Sequence, residues 1–305
     1  MRNWCNSHYS TMHNAPGACS EREWVELLHG LYPEGEIKAM RRLWLDLGSV
    51  SEEQATEVPG GMHPSWIRLV QGEPIQYVLG KAYFMGNALS VGPGVLVPRP
   101  ETEELVEWVL EDPLMKLLSD RELASGVATF LDLGTGSGCI ALALAKGNSL
   151  AKGNSMGKVI ALDCEAEALR FAQENANEWG VAARVELEQS DFMSSDWKAP
   201  CARYWVSNPP YIGADEAQDL DKHVMDYEPS KALFAPGSHP LEVYHTLIGA
   251  FLESPCSECL WLELNPRYAL DIANPQIWGT PPNLEWTMRQ DMQGKNRMLR
   301  IRKQG

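Results

Sequence analysis

The sequence predicts an α/β fold: a doubly wound, mostly parallel seven-stranded sheet, with a small N-terminal helical bundle and a hairpin connector ahead of it. Three observations predict it. From about residue 129 onward, short β-forming runs alternate with helical stretches, the pattern of a parallel sheet covered on both faces. A glycine-rich turn, Gly134-Thr135-Gly136-Ser137-Gly138, joins the first of these runs to a helix. A proline-stiffened turn, Asn208-Pro209-Pro210-Tyr211, follows the fourth run.

Residues 1–19 are polar and aperiodic and read as a loose tail. Ser20-Glu21-Arg22-Glu23 is a capping box that opens an apolar helix through Trp24, Val25, Leu27 and Leu28. A second helix puts Ile37, Met40, Leu43, Trp44 and Leu47 on one face and stops at Gly48. A third runs through Trp66, Ile67, Leu69 and Val70 to Gly72, so residues 20–80 form a helical domain. Residues 81–98 read as a hairpin-like connector: Tyr83 to Met85 and Leu89 to Val91 flank Gly86-Asn87, and Gly92-Pro93-Gly94 interrupts before Val95 to Val97. The second domain, 99–305, follows Pro98-Arg99-Pro100. Its strands are expected at Thr129–Leu133, Val159–Asp163, Val185–Glu188, Tyr204–Ser207, Leu260–Leu264, Leu284–Met288 and Met298–Ile301. Its helices include Glu101–Leu110, Cys139–Ala145 and Glu165–Trp179.

Composition narrows the function. The chain has 305 residues, 44% hydrophobic and 22% charged, which excludes a disordered or collagen-like protein. With 41 acidic and 26 basic side chains its formal charge is −15, which argues against a wide basic face for nucleic acid. No run reaches the roughly 20 apolar residues of a membrane span, and the N-terminus lacks a signal-peptide core. Seven cysteines at irregular spacing do not read as a disulfide framework, so free thiols in a reducing cytoplasm are expected. Cys256-x-x-Cys259 has no second pair to complete a metal site, and no metal is expected.

The glycine turn lets a ligand approach the backbone, because glycine carries no Cβ. Its G-x-G-x-G pattern is neither the dinucleotide fingerprint nor a P-loop. An acidic residue closing the next strand would bind ribose hydroxyls, and Asp163 is that residue. It lies 25 positions beyond Gly138 (163 − 138). The segment LAKGNS occurs twice, at residues 144–149 and 150–155, and removing the second six-residue copy leaves 19 (25 − 6). That is close to the spacing of about 20 in nucleoside sites of this geometry. Asp191 follows the third strand, where it would accept from an adenine amino group while Phe192 packs on the ring; a helix N-cap is the alternative role for Asp191.

In the second turn, two prolines remove two backbone donors and stiffen the chain. The Asn208 amide oxygen and the Pro209 carbonyl are then rigid acceptors, beside the Tyr211 ring. Two acceptors and a ring suit a planar NH2 group. In a parallel sheet both turns, Asp163 and Asp191 would meet at the carboxyl ends of the strands.

These residues carry a resemblance. The chain resembles class I S-adenosylmethionine-dependent methyltransferases of the amino-group type, and more narrowly the peptide chain release factor glutamine N5-methyltransferases. The matching segments, in order, are Gly72-Glu73-Pro74-Ile75-Gln76-Tyr77, Pro98-Arg99-Pro100-Glu101-Thr102-Glu103, Asp132 to Gly138, Asn208 to Tyr211, Tyr227-Glu228-Pro229 and Gly294-Lys295-Asn296-Arg297. The chain departs from the family in having Leu69-Val70-Gln71 where paired arginines are usual, and Glu263-Leu264-Asn265 where Glu-x-Gly is common.

The resemblance implies S-adenosyl-L-methionine held by Gly134, Thr135, Gly136, Ser137, Gly138, Asp163, Asp191, Phe192 and Asn208. It implies a release factor as protein partner, with its glutamine amide held by Asn208, Pro209, Pro210 and Tyr211, of which Asn208, Pro209 and Tyr211 would be catalytic. The helical domain would then recognise the protein substrate. Arg99 and Glu103 would brace the cofactor pocket, unless they are simply an exposed helix start. Two rival functions share part of the pattern. A DNA or RNA amino-methyltransferase also uses N-P-P-Y, but it would need a basic channel for a flipped base. The only basic cluster, Lys295, Arg297, Arg300, Arg302 and Lys303, reads as a solvated strand edge. A non-catalytic scaffold of the same fold is the other rival.

Overall fold

Helix α1 (Glu21–Leu28) begins on the expected capping box: Ser20 Oγ accepts from the Glu23 N–H, and the Glu23 carboxylate accepts from the Ser20 N–H at 2.7 Å. The computed structural model in which this is seen describes residues 15–47, 63–116, 128–147, 158–237, 239–279 and 283–304. Contacts divide the chain into two units. The first is Met1–Ala82, Val91–Pro93 and Leu220–Tyr227; the second is Tyr83–Ser90, Gly94–Asp219 and Glu228–Gly305.

In the first unit, α1 is followed by α2 (Glu34–Leu47), α3 (Pro64–Val70) and α4 (Ile75–Leu79). Their apolar faces close on Trp24, Leu27, Ile37, Trp44, Trp66 and Leu69. The Trp24 ring meets Trp66 edge-on at 4.9 Å, an arrangement favoured by the aromatic quadrupole. Residues 15–19 correct the expectation of a loose tail. Pro16–Ala18 form a 3-10 turn, and Cys19 is buried. The reason is the Trp24 indole: fully buried, its N–H needs an acceptor and finds the Pro16 carbonyl at 2.9 Å. Residues 1–14 of the tail, Gly48 and the second LAKGNS copy lie outside the described residues.

Strands β1 (Lys81–Phe84) and β2 (Asn87–Ser90) form the expected hairpin. Its two-residue turn is Met85-Gly86 rather than the expected Gly86-Asn87, with φ of 50° and 71°, the doubly positive geometry that matches strand twist, and Asn87 opens β2.

The second unit continues with α5 (Pro100–Glu111), α6 (Pro113–Lys116), β3 (Ala128–Leu133), α7 (Cys139–Lys146), β4 (Lys158–Asp163), α8 (Ala166–Glu178), β5 (Val185–Gln189) and β6 (Tyr204–Ser207). Short α9 (Lys222–Tyr227), which groups with the first unit, precedes α10 (Ser230–Leu233), α11 (Leu241–Glu253), β7 (Cys259–Glu263), α12 (Ala269–Ile272), β8 (Leu284–Gln290) and β9 (Asn296–Lys303). The seven large-sheet strands begin and end within two residues of the expected positions. They lie in the order β5-β4-β3-β6-β7-β9-β8, with β9 antiparallel to both neighbours. Strands β6 and β7 are buried along their whole length, hence their near-continuous apolar sequences. β3 is the switch point: β4 lies on one side and β6 on the other. Leu133 stands abreast of Leu162 in β4 and of Ser207 in β6, so the turns leaving these three strands share one edge of the sheet.

Two further expectations are corrected. The thiols are not all free: Cys201 and Cys256 form a disulfide. Each cysteine leads into one of two adjacent parallel strands, which sets their Cα atoms 5.5 Å apart and within bridging range. Cys259, the other half of the C-x-x-C, is buried in β7. The basic cluster is also not a solvated edge, because β9 lies inside the sheet between β7 and β8. Arg300 pairs with Asp112 at 2.6 Å and with Glu285. Arg297 pairs with Asp291 at 3.2 Å. Lys303 donates to the Leu252 and Ser254 carbonyls, capping the C-terminus of α11 where carbonyls lack helical partners.

Candidate active site

The glycine turn is held by backbone bonds to the neighbouring strand. The Gly134 and Thr135 N–H groups both donate to the Leu162 carbonyl, at 3.0 and 2.8 Å. Gly134, Gly136 and Gly138 all have positive φ, of 75°, 55° and 86°. Two of them serve different ends. A Cβ on Gly136 would meet nothing within 4 Å, so this glycine faces open space. A Cβ on Gly138 would lie 3.1 Å from the Ala172 Cβ, so this glycine lets α7 pack closely on α8. Thr135 turns its hydroxyl inward to Asp132 Oδ2 at 2.7 Å and offers a ligand only its backbone. Ser137 is buried, and its carbonyl accepts from Asn175 Nδ2 at 2.9 Å. Asn175 also exchanges hydrogen bonds with both backbone groups of Ser90, tying the glycine turn to the hairpin.

Below the turn, Asp132 is fully buried. Oδ2 accepts from Thr135 and from the Ala141 N–H, while Oδ1 has no hydrogen-bond partner. Burial pushes its carboxyl up to about 7. Asp163 closes β4 as expected. Its Oδ2 accepts the Gly136 N–H and its Oδ1 the Glu165 N–H, both at 2.9 Å, and burial raises its pKa against those bonds. A carboxylate oxygen has two lone pairs, so each retains capacity for a hydroxyl. Asp191 is exposed, and its Oδ1 caps the following turn by accepting the Met193 N–H. Phe192 belongs to the large core cluster, with its ring edge 3.9 Å from the Cβ direction of Gly134.

The Asn208 turn is held instead by side chains. Asn208 Nδ2 donates to Thr102 Oγ1 at 2.9 Å, and Thr102 donates to Glu263 Oε2 at 2.7 Å. The other Glu263 oxygen, Oε1, accepts the Tyr211 hydroxyl at 2.9 Å. Asn265 Nδ2 donates to the Tyr211 carbonyl at 3.0 Å and to Glu216 Oε1 at 2.8 Å. Among the described residues nothing donates to Asn208 Oδ1 or to the Pro209 carbonyl. Gly134 lies beside this turn, its Cβ direction 3.9 Å from the Asn208 carbonyl, and Ser207 Oγ bonds the Leu133 carbonyl at 2.7 Å. The two turns therefore adjoin. Tyr211 stays protonated, its pKa pushed well above the usual 10 by burial and by the nearby Glu263 carboxylate. Burial likewise raises Glu263, against the Thr102 and Tyr211 hydrogen bonds and the Arg297 charge.

Sequence reasoning named several further residues without finding what they bond, and missed Arg68 altogether. Thr102, Glu263 and Asn265 build the Asn208 turn, yet each stands in the chain as an ordinary helix or strand-end residue. Glu228 is buried and accepts from the Val97 N–H at 3.1 Å and from Arg99 at 2.7 Å, so Arg99 fixes the loop before α5. Glu103 accepts the Met85 N–H at 2.8 Å, pinning the hairpin turn. In the first unit Arg68 forms a bidentate pair with Glu73 and bonds the Tyr77 and Val78 carbonyls, which orders the Gly72-Glu73-Pro74 segment. Its only signal was a position four residues ahead of Gly72.

Comparison with known proteins gives this geometry a family. A methyltransferase-domain family matches residues 125–231. A release factor glutamine methyltransferase of Bacteroides thetaiotaomicron is 39% identical over 209 residues, 67% of this chain and 68% of the relative. That of Nitratidesulfovibrio vulgaris is 36% identical, covering 77% of this chain and 75% of its own. The human MTRF1L release factor glutamine methyltransferase is 32% identical over 78% of this chain and 70% of its own. Among solved structures, the hMettl16 catalytic domain in complex with a MAT2A 3′UTR hairpin superposes with a TM-score of 0.50 at 12% identity, over 88% of this chain and 90% of the other. That likeness concerns the fold alone. With its seven-stranded class I sheet and its curated relatives, the chain belongs to the release factor glutamine methyltransferase family.

Proposed function

We propose that this protein transfers a methyl group from S-adenosyl-L-methionine to the side-chain amide nitrogen (N5) of the glutamine in the Gly-Gly-Gln motif of peptide chain release factors. The observation that carries the reading is the hydrogen bonding of Asn208: its NH2 donates to Thr102, and among the described residues nothing donates to its Oδ1 or to the Pro209 carbonyl, which leaves two acceptors at this turn. A primary amide nitrogen has two hydrogens, and these two oxygens match them. Its lone pair is delocalised into the carbonyl, so it attacks poorly unless aligned. Holding both N–H bonds aims the nitrogen, and such alignment supplies roughly 7–11 kcal/mol in favourable intramolecular cases. The same acceptors stabilise positive charge growing on nitrogen. No dedicated base is required, because the methylated cationic nitrogen releases a proton readily. Tyr211 covers the amide with its ring; its raised pKa keeps its hydroxyl from acting as a base at neutral pH.

The cofactor supplies an electrophilic methyl group on a sulfonium. The donor set suits it. Gly136 leaves room against the backbone, Asp163 keeps lone pairs for ribose hydroxyls, and Asp191 Oδ2 is left over from its turn for an adenine amino group. Gly134, Thr135, Ser137 and Gly138 shape the backbone there, and Phe192 sits beneath it. We place the enzyme in the cytoplasm with release factors as its protein partners. No helix among the described residues is long and apolar enough to cross a membrane. Arg297, Arg300 and Lys303 are engaged within the protein, which weakens a nucleic-acid reading. The test is methyl transfer from labelled S-adenosylmethionine to a purified release factor, beside its Gly-Gly-Ala variant and bulk DNA and RNA. Label on the intact factor alone is the expected result; label on nucleic acid, or on the Gly-Gly-Ala variant equally, overturns the reading.

A further inference from the structure

Asn208 has two ends of nearly equal size, and only one of them is useful. If its NH2 faced the acceptor amide, donor would meet donor. Thr102 decides the matter, because a hydroxyl has one hydrogen. Glu263 Oε2 takes that hydrogen at 2.7 Å, so Thr102 Oγ1 has only lone pairs left for Asn208. The Asn208 atom 2.9 Å away must then be Nδ2, and among the described residues Oδ1 is left without a donor. Without the carboxylate, Thr102 would donate to Oδ1 as readily as it accepts from Nδ2. Thr102 and Glu263 are 2% and 1% exposed, so water does not replace either partner. The second carboxylate oxygen holds the Tyr211 hydroxyl at 2.9 Å, and Arg297 Nη1 approaches that hydroxyl at 3.4 Å. One side chain thus grips both ends of the turn, Asn208 through Thr102 and Tyr211 directly.

Resting on the reading that Asn208 holds the acceptor amide, we propose that Glu263 is a positioning residue: through Thr102 it dictates which end of the Asn208 amide faces the substrate. Glu263 touches neither cofactor nor substrate. Glu263→Gln would keep the shape but bring an NH2 group, which can donate to Thr102, free the hydroxyl hydrogen for Asn208 Oδ1, and invert the amide.

The experiment measures kcat and KM for the release factor, cofactor affinity by calorimetry and thermal stability in Thr102→Val, Thr102→Ser, Glu263→Gln and Asn208→Ala. Thr102→Val removes the hydroxyl at constant shape, and Thr102→Ser restores it. Thr102→Val and Glu263→Gln are expected to lose kcat on the order of 10²-fold, the scale of an ångström-level misplacement. Cofactor affinity should hold, Thr102→Ser should recover most of the loss, and the double variant should be no worse than either single one, since both break the same chain. Near wild-type kcat in Thr102→Val, with Asn208→Ala inactive, overturns the relay and leaves the reading of Asn208 standing. Wild-type turnover in Asn208→Ala overturns that reading, and the relay with it. Should Glu263→Gln fail to fold, the contrast of Thr102→Val with Thr102→Ser decides alone.

Discussion

The two turns at the switch point are built on opposite plans. The glycine turn is a backbone object. Its shape comes from three positive-φ glycines and two N–H bonds to Leu162, and the carboxylate beneath it, Asp132, accepts through one oxygen from Thr135 and Ala141, three and nine residues away. The Asn208 turn is a side-chain object. Its carboxylate, Glu263, joins Thr102 across 161 residues and Tyr211 across 52. The two carboxylates also differ in how they are satisfied. Asp132 loads one oxygen twice and leaves the other without a partner, whereas Glu263 places one hydroxyl on each oxygen, with Arg297 nearby. A turn that must wrap a ligand with backbone can be encoded locally. A turn that must present one particular amide oxygen needs partners chosen from across the fold.

The comparison is tested hardest by Asn208→Ala. Loss of one transition-state acceptor is expected to lower kcat about 10²–10³-fold, by analogy with removal of a single oxyanion donor, while cofactor affinity changes little. An equal fall in cofactor binding would mean the two turns are not separable in function. The glycine turn should respond in the opposite way, through stability. Gly136→Ala suffers only left-handed backbone strain, about 1 kcal/mol. Gly138→Ala adds the clash with Ala172, roughly another 1–3 kcal/mol from overpacking. Denaturant unfolding of the two variants checks the ranking, and equal losses would show that the α7–α8 contact can yield.

The smallest effect separates the two carboxylates by pH. Asp132 has a folded pKa raised from an ordinary 3.8 to about 7. Over that window the folded state binds more protons than the unfolded one, so this group's contribution is complete below about pH 4 and is lost as pH rises to about 7. The melting temperature of the wild type should carry this downward slope, and Asp132→Asn should flatten it. An unchanged slope would show that Oδ1 finds a partner in solution. For Glu263 the raised pKa places an acid limb on kcat above the ordinary glutamate range, since only the ionised form takes the Thr102 hydrogen.

Much of this molecule was legible in one dimension. Capping box, periodic helices, strand runs and both turns obey rules spanning a few residues, and the large-sheet strands fall within two residues of their expected places; the hairpin turn lies one residue earlier than Gly86-Asn87. Asp163 closes β4 as expected, at a spacing from Gly138 that the duplicated LAKGNS lengthens by six residues. What was not legible depends on packing. The Cys201–Cys256 bridge and the interior position of β9 with its paired arginines follow from which strands become neighbours, and the docking of residues 15–19 follows from burial of the Trp24 indole.

The fold class, the family and the two turns proposed to hold cofactor and acceptor amide are written in the sequence, because backbone geometry at glycine and proline and the alternation of apolar residues are local properties. How those turns are held depends instead on contacts between distant segments. Thr102 begins a helix and Glu263 ends a strand, and nothing local to either marks it as a partner of Asn208. The fold brings them together in a buried site, where each hydrogen-bonding group must find a specific partner and the direction of every donor follows from the next.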